Sequence, residues 1–323
     1  MLGKGDDLQS QVSTVASLED AVKDYGPKVI GPIAFSVAKG EIVGLLGPNG
    51  SGKSTSIRLL LGMAKPTSGA VRLMGHDPLR NHVEALRGVG YSPELPNLQT
   101  FMTPGELLRL VGRELMLREA TMREEIPRTL ESVGLLEYQD YRIGKLSKGM
   151  VQRLSVAQAM VGRPSLLILD EPMIGIDPAG VVHFRSIFRK FVDDGGTIIM
   201  SSHIMSEVES LCSSVAVVHS GRMVFRGGIE EFKVKSLASR LVEVEVSSPS
   251  QALLDVIQRI GGVRSVTQTP KGYKVDVEKG TDPRSEISKA VVESGSGLLA
   301  IGYSRAEFDE AYVAAIGGQG NES

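Results

Sequence analysis

The sequence predicts an α/β domain built on a largely parallel sheet and, after it, a smaller α+β domain. Three observations carry this. Short apolar runs alternate with helix-like segments as far as about residue 225, a glycine-rich segment lies between one such run and a helix start, and the pattern changes character near Ser236. A chain of 323 residues has room for one large core and a smaller second one, because single cores rarely grow beyond about 250–300 residues.

Residues 1–11 are polar and mixed in charge, which reads as a flexible start without the basic and apolar stretches of a secretory signal. Glu41–Gly47 (EIVGLLG) reads as a buried strand, and a helix follows from about Lys53. Thr103–Val133 carries two consecutive helical patterns between strands expected at Val89–Tyr91 and Leu166–Leu169. They imply a helical subdomain over about 95–160, inserted into a first domain of 12–235.

The second domain, 236–323, opens with Leu241–Val246, where Val242, Val244 and Val246 alternate with Glu243 and Glu245 as in a half-buried strand. Ser248-Pro249 reads as a helix cap and first-turn proline before Leu253, Val256, Ile257 and Ile260. Strands at Val263–Thr267 and Tyr273–Val277 flank the turn Pro270-Lys271-Gly272. Asp282-Pro283 repeats the cap signal before Ile287, Ala290 and Val291, and Gly297–Ile301 is the last strand. The order β-α-β-β-α-β is that of a split ferredoxin-like domain. A final helix is expected at Arg305–Ala315, and no repeat or heptad run is present.

Composition narrows the class. Apolar residues at 41% and charged residues at 23% match average soluble chains. No run approaches the ~18–20 apolar residues that span a bilayer, so the chain itself is not expected to cross a membrane, and without a secretory signal pattern a cytoplasmic location is expected. A net charge of −2 gives no basic footprint, and no nucleic-acid partner is expected. Cys212 is the only cysteine, which excludes an internal disulfide and a multi-cysteine metal site. Its setting, SLCSSVAVV, reads as a small buried hydrophobe.

Gly47-Pro48-Asn49-Gly50-Ser51-Gly52-Lys53-Ser54-Thr55 fits the phosphate-loop pattern after a strand and before a helix. Glycines let backbone N–H groups turn toward phosphate oxygens, the helix start adds positive potential, Lys53 reaches the terminal phosphates and Ser54 ligates Mg²⁺. The plain alternative is a glycine-rich turn with an incidental lysine. Leu166–Leu169 then runs into Asp170-Glu171, which places Asp170 beside the metal and Glu171 where it can polarise a water. Acids at strand ends also serve as helix caps, and alone this pair does not choose between the two roles. Leu146-Ser147-Lys148-Gly149-Met150 precedes a helix carrying Val151, Leu154, Ala157 and Val161, so Ser147 with the free N–H groups forms a second anion-binding end.

Taken together, the phosphate loop, the Ser147 segment, Asp170-Glu171 and His203 resemble an ABC transporter nucleotide-binding domain over roughly residues 12–235. The resemblance implies ATP and Mg²⁺ as cofactors, and a head-to-tail dimer in which Ser147 and Gly149 of one subunit close over ATP held by the other. It also implies an adenine-stacking Tyr25, Asp177 in the loop between subunits, and His203 at the γ-phosphate beside the catalytic Glu171 and Lys53. Tyr25 packing on its own sheet and His203 capping its helix are the structural alternatives.

Two departures stand out. The family's LSGGQ reads LSKGM here, and the loop after Tyr91, which usually offers glutamine, reads Ser92-Pro93-Glu94. Glu94 can still ligate Mg²⁺ but adds negative charge. Both departures resemble the ATPases of ABC-2-type exporters, implying export through a separate transmembrane permease. Glu94 and the apolar Leu95–Met102 stretch would form the groove for a permease helix. The rival readings are a soluble ABC ATPase for cofactor assembly or DNA repair, and a non-hydrolysing ATP-sensing scaffold. The second domain reads as a ligand sensor, a dimer brace or decoration, of which the brace is preferred.

Overall fold

In the computed structural model the chain is described over residues 14–236, 239–278 and 281–303, with Tyr312 and Ala315. The expected flexible start and most of the helix expected at Arg305–Ala315 lie outside the described residues. The chain parts into two compact units between Arg226 and Gly227, whereas composition placed the boundary at 235/236.

The first unit runs β1 (Thr14–Asp24), β2 (Val29–Ala38), β3 (Ile42–Leu46), α1 (Lys53–Leu60), β4 (Ser68–Leu73), α2 (His82–Leu86) and β5 (Val89–Ser92). It continues through α3 (Pro104–Glu114), α4 (Glu119–Ser132), α5 (Lys148–Met160), β6 (Leu166–Leu169), α6 (Pro178–Asp193), β7 (Thr197–Ser202), α7 (Met205–Leu211), β8 (Ser214–His219) and β9 (Arg222–Gly228). A six-stranded sheet has the order β5-β6-β7-β3-β8-β9, and its first five strands are parallel neighbours. Parallel strands covered on both faces need uninterrupted apolar runs rather than alternation. That is why β3 (IVGLL) and β6 (LLIL) are buried at every position. A smaller antiparallel sheet, β2-β1-β4, lies beside it in sequence.

The helical insertion starts where the sequence puts it. Thr103 caps α3 reciprocally with Glu106, and Pro104 occupies the first turn. Asp177 caps α6 by accepting from the Gly180 N–H at 2.7 Å. On α6, Phe184 and Phe188 stack at 5.3 Å and are fully buried. Among the described residues no helix is long and apolar enough to cross a membrane.

The second unit contains α8 (Ile229–Ser236), β10 (Ser239–Val246), α9 (Gln251–Gln258), β11 (Val263–Thr269), β12 (Gly272–Glu278), α10 (Arg284–Glu293) and β13 (Leu298–Tyr303). Its sheet has the order β11-β12-β10-β13 with every neighbouring pair antiparallel, as two interleaved β-α-β units require. Val242, Val244, Tyr273 and Val275 pack under Leu253, Ile257, Ile287 and Val291.

Two cap readings need correction. Ser250, not Ser248, caps α9, accepting from the Leu253 N–H at 3.2 Å. The buried Tyr273 hydroxyl decides this, because it accepts from the Ser250 N–H and donates to the Ser250 carbonyl at 2.7 and 2.9 Å. Asp282 likewise stands one residue ahead of the cap position at Pro283 and binds the Arg284 guanidinium instead. Val256, expected on the buried face of α9, is half exposed.

Phe184→Ala removes a ring from a site with no solvent to fill it, and is expected to cost about 3–5 kcal/mol. A lowered urea midpoint for the loss of the first unit's helical signal is the measurement; an unchanged midpoint would contradict the packing described.

Candidate functional site

The site lies at the carboxyl ends of three adjacent parallel strands, β6, β7 and β3, where open α/β sheets place their ligands. Register does the positioning. Leu46 pairs with Ser202, and Leu169 with Met200. The segments leaving the three strands, Gly47–Gly52, Asp170-Glu171 and His203, therefore emerge side by side.

The Gly47–Gly52 loop is held by close backbone approach. A Cβ on Gly47 would stand 2.1 Å from the Val218 carbonyl oxygen and 2.7 Å from Ser51 Oγ. Gly52 adopts a φ of +120° against Ile30, a region that disfavours side chains. The Gly47 N–H reaches the Ser202 carbonyl at 3.3 Å, tying the loop to β7. Ser51 Oγ is buried against Gly47 with no hydrogen-bond partner.

Lys53 opens α1, is buried, and folds back to donate to the Gly47 carbonyl at 2.7 Å and the Pro48 carbonyl at 3.3 Å. Its ammonium stands 3.1 Å from Glu171 Oε1. That contact is an ion pair without hydrogen-bond alignment, since Oε1 has no hydrogen-bond partner of its own. The other carboxylate oxygen, Oε2, is 2.9 Å from His203 Nδ1. Glu171 thus bridges a lysine and a histidine at the mouth of the loop. His203 does not cap α7, whose cap position is Ile204.

Asp170 does not cap a helix either. Its Oδ1 accepts from the Ser201 hydroxyl at 2.5 Å, while that hydroxyl accepts from the Glu171 N–H at 2.8 Å. Burial raises the Tyr91 phenol pKa, with the charge of Asp170 and, more weakly, Glu94 adding to it and Arg58 opposing.

A pocket of about 320 Å³ is lined by Tyr25, Asn49, Gly50, Gly52, Lys53, Ser54, Thr55, Glu94 and Glu171, together with Lys28 and Ile30. Tyr25 is half exposed rather than packed into its sheet, with the Lys23 ammonium 5.3 Å from its ring centre. Ser147, Gly149 and Asp177 do not line this pocket. Ser147 caps α5, accepting from the Met150 N–H at 3.3 Å, and so engages one of the N–H groups expected to be free. A Cβ on Gly149 would lie 3.3 Å from the Gly175 carbonyl, so this helix start abuts the segment leading to Asp177.

Ser54, Glu94 and Asp170 offer oxygen donors only, the set that suits Mg²⁺. Among the described residues no group of three or more His, Cys, Asp or Glu could hold an ion alone. A cation here would draw its remaining ligands from phosphate and water, as Mg²⁺ does.

Four residues escaped the sequence reading. Lys28 donates to the Gly50 carbonyl on the loop. Ser201 and Ser202 fix Asp170 and the loop as described. Glu207, buried on α7, accepts from the Ser202 hydroxyl at 2.6 Å. Burial raises the Glu207 pKa and the charge of Glu171 adds to this, while the Ser202 hydrogen bond works against them. Burial also pushes the Cys212 thiol up, as befits an inert buried side chain.

The geometry is that of a nucleoside-triphosphate pocket on a parallel α/β sheet, and the comparisons agree. The family described as ABC transporter matches residues 30–174. The bacitracin transport ATP-binding protein BcrA of Bacillus licheniformis is 32% identical over 309 residues, covering 95% of this chain and 99% of that protein. A Nod factor export ATP-binding protein I of Ralstonia nicotianae is 37% identical over 232 residues, 71% of this chain and 72% of its own. A solved structure of an ATP-binding subunit of an ABC transporter aligns with a TM-score of 0.64 and 30% identity, covering 68% of this chain and 92% of that one. This chain belongs to the ABC transporter ATP-binding proteins. It is an ATP-binding and ATP-hydrolysing subunit.

Glu207 gives a pH dependence with a definite sign. A carboxyl whose pKa is raised on folding lends stability that is full below its unfolded pKa and is lost as pH rises through the folded one. Glu207→Gln keeps an oxygen for Ser202 and removes that titration. The variant should match the parent near pH 4 and melt higher than it toward about pH 8. Parallel melting curves across that range would show that Glu207 does not titrate on folding.

Proposed function

We propose that the chain energises export through a separate membrane permease, working as one of two ATP-binding subunits with Mg²⁺-ATP in the pocket between Tyr25 and Glu171. The observation that carries the reading is the Lys53–Glu171–His203 chain at the mouth of the phosphate loop. A γ-phosphate entering the loop competes with Glu171 for the Lys53 ammonium. The released carboxylate can then accept a proton from water, with the His203 imidazole fixing its second oxygen. Tyr25 offers its exposed ring to adenine, and Asn49 to Thr55 wrap the phosphates. Ser54, Asp170 and Glu94 would hold Mg²⁺, which supplies charge neutralisation on the phosphates.

Ser147, Gly149 and Asp177, outside the pocket of their own chain, are offered to a second copy. Export is supported by the names of the relatives above and by the LSKGM and Glu94 departures. The permease contact falls on the exposed side chains of Leu95 and Phe101. Beside them lies a groove of about 500 Å³ lined by Phe101, Met102 and Leu110 among Arg109, Arg113 and Arg142, with Glu106 as its one acid. It suits an apolar helix with an acidic end.

Glu171→Gln should lower turnover by roughly 10²-fold or more while ATP still binds; equal rates would remove Glu171 from this role. Tagged Glu171→Gln, loaded with ATP in source membranes, should then retain a partner with several apolar spans of ~20 residues that a Lys53→Ala control loses. Recovery of soluble partners alone would favour the assembly or repair reading. Phe101→Glu, at an exposed position, is expected to abolish retention of that partner and leave basal hydrolysis in solution intact; undiminished retention would move the contact elsewhere.

A further inference from the structure

A cavity larger than the nucleotide pocket lies elsewhere in the first unit. About 930 Å³ of space opens between α4 and α6, against 320 Å³ for the nucleotide pocket, and the two share no lining residue. Its size falls within the range of small-molecule sites, about 300–1,000 Å³. Met160, Pro164, Ile187 and Phe191 supply apolar wall. The Phe191 ring lies flat against backbone, and only glycine permits it: a Cβ on Gly196 would stand 2.3 Å from Phe191 Cε1.

The charges on this wall do not balance. Arg128 on α4, Arg163 after α5 and Lys190 on α6 face two acids, Glu125 and Asp194, with His183 also on the α6 wall. Glu125 is already engaged, accepting from the Gly162 N–H at 2.5 Å and lying 4.0 Å from the Arg163 guanidinium. Among the described residues the Arg128 and Lys190 side chains make no hydrogen bond or ion pair. With Glu125 taken up by Arg163, Arg128 and Lys190 on opposite walls face Asp194 alone, which leaves one positive charge in surplus above apolar surface. That combination selects a negatively charged head on an apolar body.

We propose that this cavity is a binding site for a free anionic amphiphile, whose carboxylate, sulfonate or phosphate head sits between Arg128 and Lys190 and whose apolar body lies on Ile187 and Phe191. Such a ligand touches α4 of the helical insertion and α6 of the sheet domain at once. It therefore braces the two against each other, and Asp177, the cap of α6, stands six residues beyond Glu171. Ligand binding is in this way linked to the segment that carries the catalytic carboxylate.

The test uses the full chain and 1-anilinonaphthalene-8-sulfonate as probe, with its uncharged analogue N-phenyl-1-naphthylamine beside it. The anionic probe should bind saturably, resist displacement by saturating ATP, and be displaced by dodecanoate but not by dodecanol. The Arg128→Glu/Lys190→Glu double variant, altered only at exposed positions, should weaken it by roughly tenfold or more. Gly196→Ala, which forces the Phe191 ring from its place, should weaken both probes. Melting curves and basal ATP turnover confirm that the variants are folded. Displacement by ATP, equal binding by the double variant, or absence of saturable binding would each overturn the proposal.

Discussion

A buried ammonium–carboxylate pair, Lys53 with Glu171 at 3.1 Å and both nearly excluded from solvent, is the interaction on which the site depends. Two charges in such a place are tolerated only when each has further partners, and removing one partner of a buried pair typically costs about 3–5 kcal/mol. The pair and its further partners come from the ends of three separate strands. Lys53 draws on the carbonyls of the loop after β3, and Glu171 on His203 after β7. The pair is in effect a condition on the register of β6, β7 and β3. A slip of any strand would strand a charge in apolar surroundings.

The same economy explains the serines. Ser201 serves Asp170 and the Glu171 N–H with one hydroxyl, and Ser202 offers its carbonyl to Gly47 and its hydroxyl to Glu207. Each is a short side chain at the end of a strand that is otherwise apolar on both faces. A longer polar residue would reach past its partner, and an apolar one would leave a buried donor or acceptor unmet.

The helical insertion meets this centre through α5, which packs so closely on β5 that a Cβ on Gly90 would stand 1.9 Å from the Ala159 carbonyl oxygen, and through a few polar contacts. Ser155 on α5 meets Ser92 at the end of β5 at 2.8 Å, two residues before Glu94. Glu125 on α4 holds the turn after α5 through the Gly162 N–H. Polar links of this kind fix orientation with little buried area. They leave α4 and α6 far enough apart for the large cavity between them.

The sequence by itself determined what local chemistry encodes. The phosphate loop and Asp170-Glu171 are readable because each is a short run with its own physical logic, and uninterrupted apolar runs announce strands buried on two faces. Tertiary structure decided everything that depends on a neighbour distant in the chain. Lys28, Ser201, Ser202 and Glu207 carry no signal in their own segments: Ser201 gains its role when parallel register brings strand ends together, Lys28 when the β1–β2 turn meets the phosphate loop, and Glu207 when burial sets its carboxyl against the Ser202 hydroxyl. Ser250 rather than Ser248 caps α9 because the Tyr273 hydroxyl, 23 residues on, grips its backbone. Ser147 and Gly149 stay outside the pocket that the phosphate loop forms. Sequence fixes which groups can bond; only the folded chain settles which of them are near enough, and dry enough, to do so.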